Sequence, residues 1–138
     1  MTYVLDTNTI SYFLRGEGNV DSYFQEEVVS AGNPYAIPYI VAYEIWRWLH
    51  DKPTVQIKAF AHQFNLLFTN VQEKAEMSAG IWTKAADVYI DLKQKGQLIG
   101  DADILIAAYC LVNNCTLVTS NSSDFGRIKG LSHVNWYK

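Results

Sequence analysis

The sequence predicts an α/β fold, a three-layer sandwich in which a short-stranded parallel sheet is covered by helices on both faces. Short β-branched apolar runs alternate with helical segments, and the runs are apolar throughout, as strands buried on both faces are. The 138 residues, 49% hydrophobic and 14% aromatic, suit one domain over residues 1–138 and exclude disorder as the main state.

Tyr3-Val4-Leu5 stops at the turn-forming Asp6-Thr7-Asn8 and reads as a buried strand running into a loop. Thr9 to Leu14 follows as helix until Gly16 and Gly18 break it, and Val20, Tyr23, Phe24 and Val28 then recur at helical spacing up to Gly32. Pro34 to Ile37 predict a second strand. Pro38 suits the first turn of a helix, where its missing N–H would be unpaired anyway, and Tyr39 to His50 continue that helix. Pro53 separates it from a helix carrying Val55, Phe60, Phe64, Leu67 and Phe68 towards Asn70. Glu73 to Lys95 predict one long amphipathic helix, with Met77, Ile81, Ala85, Val88 and Leu92 on its stripe and Gly96 beyond its end. Asp101 opens an apolar helix to Val112 that Asn113-Asn114 ends. Thr116 to Thr119 predict a strand, Ser120 to Asp124 a polar loop, and Val134 to Tyr137 a last strand.

Eleven Lys+Arg against fourteen Asp+Glu leave a net charge of -3, the wrong sign for coating nucleic acid by charge alone. A nucleic-acid role would need a local device. The longest apolar runs, Ile104 to Val112 and the one around Ile40 to Tyr43, fall short of the ~18 residues of a membrane helix. No basic region precedes the acid at position six, so no secretory signal is expected and the expected compartment is the cytoplasm. Cys110 and Cys115 are expected as buried free thiols.

In parallel sheets of this kind ligands bind beyond the carboxyl ends of the strands, and there this sequence places acids and their amides. Asp6 follows the first strand, Glu44 lies in the helix after the second, Asp101 and Asp103 open the helix before the strand at Thr116, and Asn121 follows that strand. Asp6 and Asp101 each have a structural role open to them as helix N-caps, and Asp103 is favoured by the helix dipole. Glu44 has Ile40, Val41, Ile45 and Trp48 around it at helical spacing, where an ionised group needs a partner. Arg47 at i+3 could serve, but an exposed pair of that kind contributes only ~0.3–0.5 kcal/mol and does not explain the inward placement. If Asp6, Glu44 and Asp103 converge, protonation or a bound cation must relieve their repulsion. Oxygen-only donors with no adjacent His or Cys favour Mg2+ or Mn2+ over zinc, and such an ion can activate water and neutralise charge on a phosphodiester. Positions two apart do not share a helix face, so one of Asp101 and Asp103 is expected to cap and the other to coordinate.

Val-Leu-Asp-Thr-Asn at the N-terminus, a lone Glu in an apolar helix at position 44, Asp-Ala-Asp-Ile-Leu-Ile-Ala-Ala and Leu-Val-Thr-Ser-Asn-Ser-Ser-Asp-Phe occur in that order over the whole chain. The pattern resembles the PIN domain and, within that superfamily, the VapC-type toxins of bacterial toxin–antitoxin pairs. The resemblance implies a magnesium- or manganese-dependent endoribonuclease, usually a homodimer, silenced by a cognate antitoxin that covers the active groove. Asp6, Glu44 and Asp103 match the family's three core acids. Asn121 matches a fourth position that is often Asp, and Asp124 or Asp101 could lend the oxygen that an amide supplies less well. Thr7, Asn8, Thr119 and Ser120 fall where the family places groups that orient water or the acids.

Arg15, close behind the Asp6 loop, is a candidate contact for an RNA phosphate or an antitoxin carboxylate, with Arg127 and Lys129 as further candidates. Trp46, Trp48 and Trp82 are expected in the core or at a dimer surface. Two other readings compete with the nuclease. A phosphoacceptor signalling domain is also α/β with acids at strand ends, but Asp6 has no acidic neighbour, Asn70 stands where an acceptor Asp would be, and Asn121 where a Lys would be. The other is a catalytically inactive relative that only binds partners, its activity ended by the amide at position 121.

Overall fold

The computed structural model describes residues 1–51, 54–71 and 73–138, and of residues 73–75 the backbone alone. The chain runs β1 (Tyr3–Leu5), α1 (Thr7–Arg15), α2 (Val20–Phe24), a π-helical continuation (Gln25–Ser30), β2 (Tyr35–Pro38), α3 (Tyr39–Asp51), α4 (Val55–Thr69), β3 (Glu73–Ala75), α5 (Ala79–Gln94), α6 (Asp101–Asn113), β4 (Thr116–Val118), α7 (Ser122–Phe125) and β5 (His133–Val134). The strands form one sheet in the order β3-β2-β1-β4-β5, and every pair is parallel. From β1 the chain moves outward through β2 to β3, then crosses back to β4 and outward to β5 on the other side. Right-handed crossovers put the helices of those two excursions on opposite faces of the sheet. α1, α3 and α4 pack on one another and α5 packs on α6, while α3 also meets α6, which brings the helices of Glu44 and Asp103 together. The apolar strands β1 and β4 are buried at every position between the two layers.

The reversal of direction falls between β1 and β4, whose register pairs Leu5 with Val118. A crevice opens at such a point beyond the strands' carboxyl ends. The residues that follow these two strands, Asp6 and Thr119, therefore emerge side by side, joined by the Asp6 N–H donating to the Val118 carbonyl at 3.2 Å.

Several elements depart from the sequence expectations. Glu73–Ala75 is not the start of the long helix but an edge strand beside β2, in register Ala36 to Glu73, and α5 begins only at Ala79. Main-chain pairing to β2 overrides the helical preference of Glu, Lys and Ala there. Pro38 ends β2 instead of opening α3. The segment at Ser120 to Asp124 is not all loop, because Ser122–Phe125 forms a helical turn that buries Phe125. The last strand is His133–Val134, after which Trp136 is buried as a plug against Tyr3 (centroids 5.0 Å apart) and Tyr23. Pro53, the expected helix break, lies outside the described residues. Among the described residues, no helix is long and apolar enough to cross a membrane, and Cys110 and Cys115 are buried and form no disulfide.

Candidate active site

Asp6 is held by the backbone that ends β1. As N-cap of α1 it has an extended conformation, and its Oδ1 accepts from the Thr9 N–H at 2.8 Å. Capping and function are not alternatives here, because the same carboxylate, only 4% exposed, lines a hollow at the switch point of the sheet. The hollow has a volume of about 140 Å³ and is lined by Asp6, Thr7, Asn8, Glu44, Asp103, Asn121 and Phe125. Four segments far apart in sequence thus deliver side chains to one small polar cavity: the end of β1 with the first turn of α1, α3, the first turn of α6, and α7 with its N-cap.

Glu44 does not pair with Arg47. Its Oε1 accepts from the Thr7 hydroxyl at 2.6 Å, and the carboxylate leaves its apolar helix neighbours, the buried Val41 and Ile45, to face the hollow. Asp103, half-buried in the first turn of α6, has its carboxyl pushed up to about 6 by burial and then by the negative charges of Asp6, Glu44 and Asp124. Burial also raises the Asp6 carboxyl. The Thr119 hydroxyl and the Thr9 N–H hold it back, and Glu44 pushes it further up. An acidic cluster that raises its own members' pKa values carries uncompensated negative charge, as expected of groups that await a cation or proton.

Asn121 points its amide nitrogen at Asp124 Oδ2, 3.0 Å away, while its backbone N–H donates to the Thr119 hydroxyl at 3.0 Å. An acid at 121 would repel Asp124, and the amide bonds to it instead. Asp124 stands behind Asn121, outside the lining, and pairs with Arg127 at 3.5 Å. Thr119, fully buried, backs Asp6, while the half-buried Ser120 does not line the hollow.

Asp101 is in neither expected place. Gly100 is the N-cap of α6, and Asp101 lies exposed in the first turn, lining an apolar recess with Trp82, Tyr89 and Ile90. A two-residue step on a helix turns a side chain by about 200°, which separates it from Asp103. Arg15 lines a different and larger groove at the end of α1 and is paired with Glu17 at 3.0 Å. Lys129 is exposed. Trp46 packs edge-on against Phe64 and Phe68, Trp48 stacks on Phe60, and Trp82 is exposed. Asn70 caps the C-terminus of α4, not the end of a strand, so nothing supports a phosphoacceptor there.

Two contributors escaped the sequence reading. Thr9 supplies the backbone bond to Asp6 and ties α1 to β4 by donating its hydroxyl to the Val118 carbonyl at 2.9 Å. The spacing Asp6 to Thr9, a cap and its third helical residue, was the available signal. Phe125 floors the hollow, and the apolar residue after Ser-Ser-Asp gave no pattern that pointed to it.

Among the described residues, no group of three or more His, Cys, Asp and Glu is disposed to hold a metal ion. The expected three-carboxylate shell is therefore not preformed. Glu44 is engaged by the Thr7 hydroxyl, and Asp6 by the Thr9 N–H and the Thr119 hydroxyl. Magnesium asks less of a protein, since it keeps several waters and takes one or two carboxylates plus phosphate oxygens. Hard oxygen donors in an uncompensated acidic hollow fit that mode and do not fit zinc.

The family model of the PIN domain matches residues 3–131. The chain is 34% identical over 140 residues to Ribonuclease VapC2 of Rickettsia felis, covering all of both chains. Among solved structures it resembles VapBC2 from Rickettsia felis bound to a promoter DNA fragment, with a TM-score of 0.85, 30% identity and 99% of each chain covered. It also resembles VapBC-1 from nontypeable Haemophilus influenzae, with a TM-score of 0.83, 26% identity and all of each chain covered. With its strand order, its acids at the switch point and these matches together, the chain belongs to the PIN domain family.

Proposed function

We propose that this chain is a metal-dependent endoribonuclease and the toxin of a toxin–antitoxin pair. The observation that carries the reading is the convergence of Asp6, Glu44 and Asp103, from three separate elements, on one hollow to which no cationic side chain among the described residues contributes. Relatives named ribonucleases, and VapBC pairs among the structural neighbours, support it.

Magnesium or manganese would be held by one or two of the Asp6, Asp103 and Glu44 carboxylates and by waters, and when bound it acidifies water and neutralises charge developing on the phosphodiester. The chain's own residues do the rest. Asp6 is fixed by the Thr9 N–H and the Thr119 hydroxyl, and Glu44 by the Thr7 hydroxyl. Both carboxylates are thus held by local donors before substrate arrives. Hydrolysis forms a bond from water oxygen to phosphorus and breaks the bond to the departing ribose oxygen, and the water's proton must go to a nearby base. Where Asp6 and Glu44 hold the ion, Asp103, whose carboxyl is pushed up to about 6 by burial and by its acidic neighbours, is suited to take and return a proton near neutral pH. The reading includes an RNA substrate, a cognate antitoxin, a homodimer and a cytoplasmic location.

The test is cutting of total bacterial RNA by purified protein with magnesium, with manganese and with chelator. RNA should be cut with either ion, not with chelator, and not by Asp103→Asn. In cells, induction should arrest growth unless the small protein encoded upstream is co-expressed. Cutting that survives both chelation and Asp103→Asn would remove the assignment.

A further inference from the structure

Arg47, the residue that might have neutralised Glu44, turns away from it. Its guanidinium lies over the Tyr43 ring, 5.3 Å from the centroid, with Nη1 donating to the Tyr43 hydroxyl at 3.5 Å. Among the described residues no carboxylate pairs with it. Tyr43 precedes Glu44 on α3 and is 53% exposed. Arg47 follows Glu44 by three positions, which on a helix brings the two to neighbouring places on the surface. A solvent-facing aromatic and a cation with no carboxylate partner among the described residues therefore flank Glu44 on α3. In a chain of net charge -3 this supplies a local device for polyanion binding. We propose that Tyr43 and Arg47 form a subsite for single-stranded RNA beside the scissile position, Tyr43 stacking on a base and Arg47 taking the adjoining phosphate. The proposal rests on the ribonuclease reading. Charge favours RNA over a protein occupant: the guanidinium complements a phosphate, while the acids of the hollow alone would repel one.

The fold offers its own control. Tyr89 and Lys93 on α5 repeat the arrangement, a cation 5.9 Å from a tyrosine ring four residues earlier, but α5 contributes no residue to the acidic hollow, whereas α3 carries Glu44 between Tyr43 and Arg47.

Labelled mixed-sequence single-stranded RNA is titrated onto the full-length Asp103→Asn chain, alone and combined with Tyr43→Ala, Tyr43→Phe, Arg47→Ala or Arg47→Lys. KM and kcat are measured for the same four substitutions without Asp103→Asn. Tyr43→Ala should weaken RNA binding by about 5- to 100-fold, with Tyr43→Phe keeping most of it. Arg47→Ala should make the slope of log affinity against log salt shallower by about 0.7, and Arg47→Lys should restore it. KM should rise more than kcat falls, and Tyr89→Ala and Lys93→Ala should bind as the Asp103→Asn chain does. Unaltered binding and KM for Tyr43→Ala and Arg47→Ala, in a chain that cuts RNA, overturn the subsite and leave the nuclease standing. A parent chain that neither binds nor cuts overturns both. Loss of antitoxin or dimer association with RNA binding intact makes the ridge a protein contact and overturns the proposal.

Discussion

Asp101 and Asp103 stand two residues apart in the first turn of α6 and open onto different cavities. Asp101 borders an apolar recess of about 570 Å³ between α5 and α6, and Asp103 the polar hollow of about 140 Å³. Size and apolarity usually guide the search for a site, and here they favour the recess. What marks the hollow is convergence of acids from distant segments and a carboxyl raised by burial and by their fields. The lesson is that a site for a small hard cation and a phosphodiester is narrow and polar, and its chemistry identifies it better than its volume.

The largest expected effect tests that contrast directly. Asp103→Asn and Asp6→Asn should each lower RNA cutting by 100-fold or more, roughly the loss of an essential charge at a reacting centre. Asp101→Asn should stay within about twofold of the parent. Initial rates on one RNA at saturating magnesium measure all three. An equal loss in Asp101→Asn would merge the two cavities into one functional unit.

Metal binding gives the next effect. If the hollow is where cations bind, magnesium at 100 times its dissociation constant should stabilise the protein by about 2.7 kcal/mol, read as a rise in melting temperature. Asp103→Asn should abolish most of that rise, and Asp101→Asn should keep it. A rise that Asp103→Asn leaves intact would place the ion elsewhere.

Much of this site was legible in the sequence because its acids sit where rules of local structure are strong. Asp6 ends a β-branched run at a turn, Glu44 interrupts an apolar helical stripe, and Asp103 opens an apolar helix. Each is odd for its surroundings. The parts that were not legible depend on partners far along the chain. Glu73–Ala75 has the composition of a helix and is a strand only because β2 offers it a hydrogen-bonding edge. Asp101 was expected to cap, but Gly100 holds that position with an extended backbone, and one residue of displacement moves the acid off the cap. That Arg47 would choose Tyr43 over Glu44 is likewise a matter of side-chain geometry and not of spacing, since both lie within one turn of it.

The smallest effects sharpen the comparison most, because they differ in sign. The Asp103 carboxyl titrates at about 6 folded against an ordinary 3.8, so ionisation is disfavoured in the folded state. Its stabilising protonated form is fully present below pH ~4 and lost as pH rises towards ~6. Above that range the metal-free protein carries the whole cost, about 1 kcal/mol once solvent access to this half-buried group is allowed for. Asp103→Asn should therefore raise the melting temperature of the metal-free protein at pH 7 and lose that advantage near pH 4. Asp101, an exposed first-turn acid, gains only from the helix dipole, and Asp101→Asn should cost roughly 0.3–1 kcal/mol at pH 7. Both acids meet the same dipole, so opposite signs come from the burial of Asp103 and from its acidic neighbours. Melting curves in chelator at pH 4 and pH 7 decide it: equal shifts for the two variants would mean that neither burial nor neighbouring charge sets Asp103 apart from Asp101.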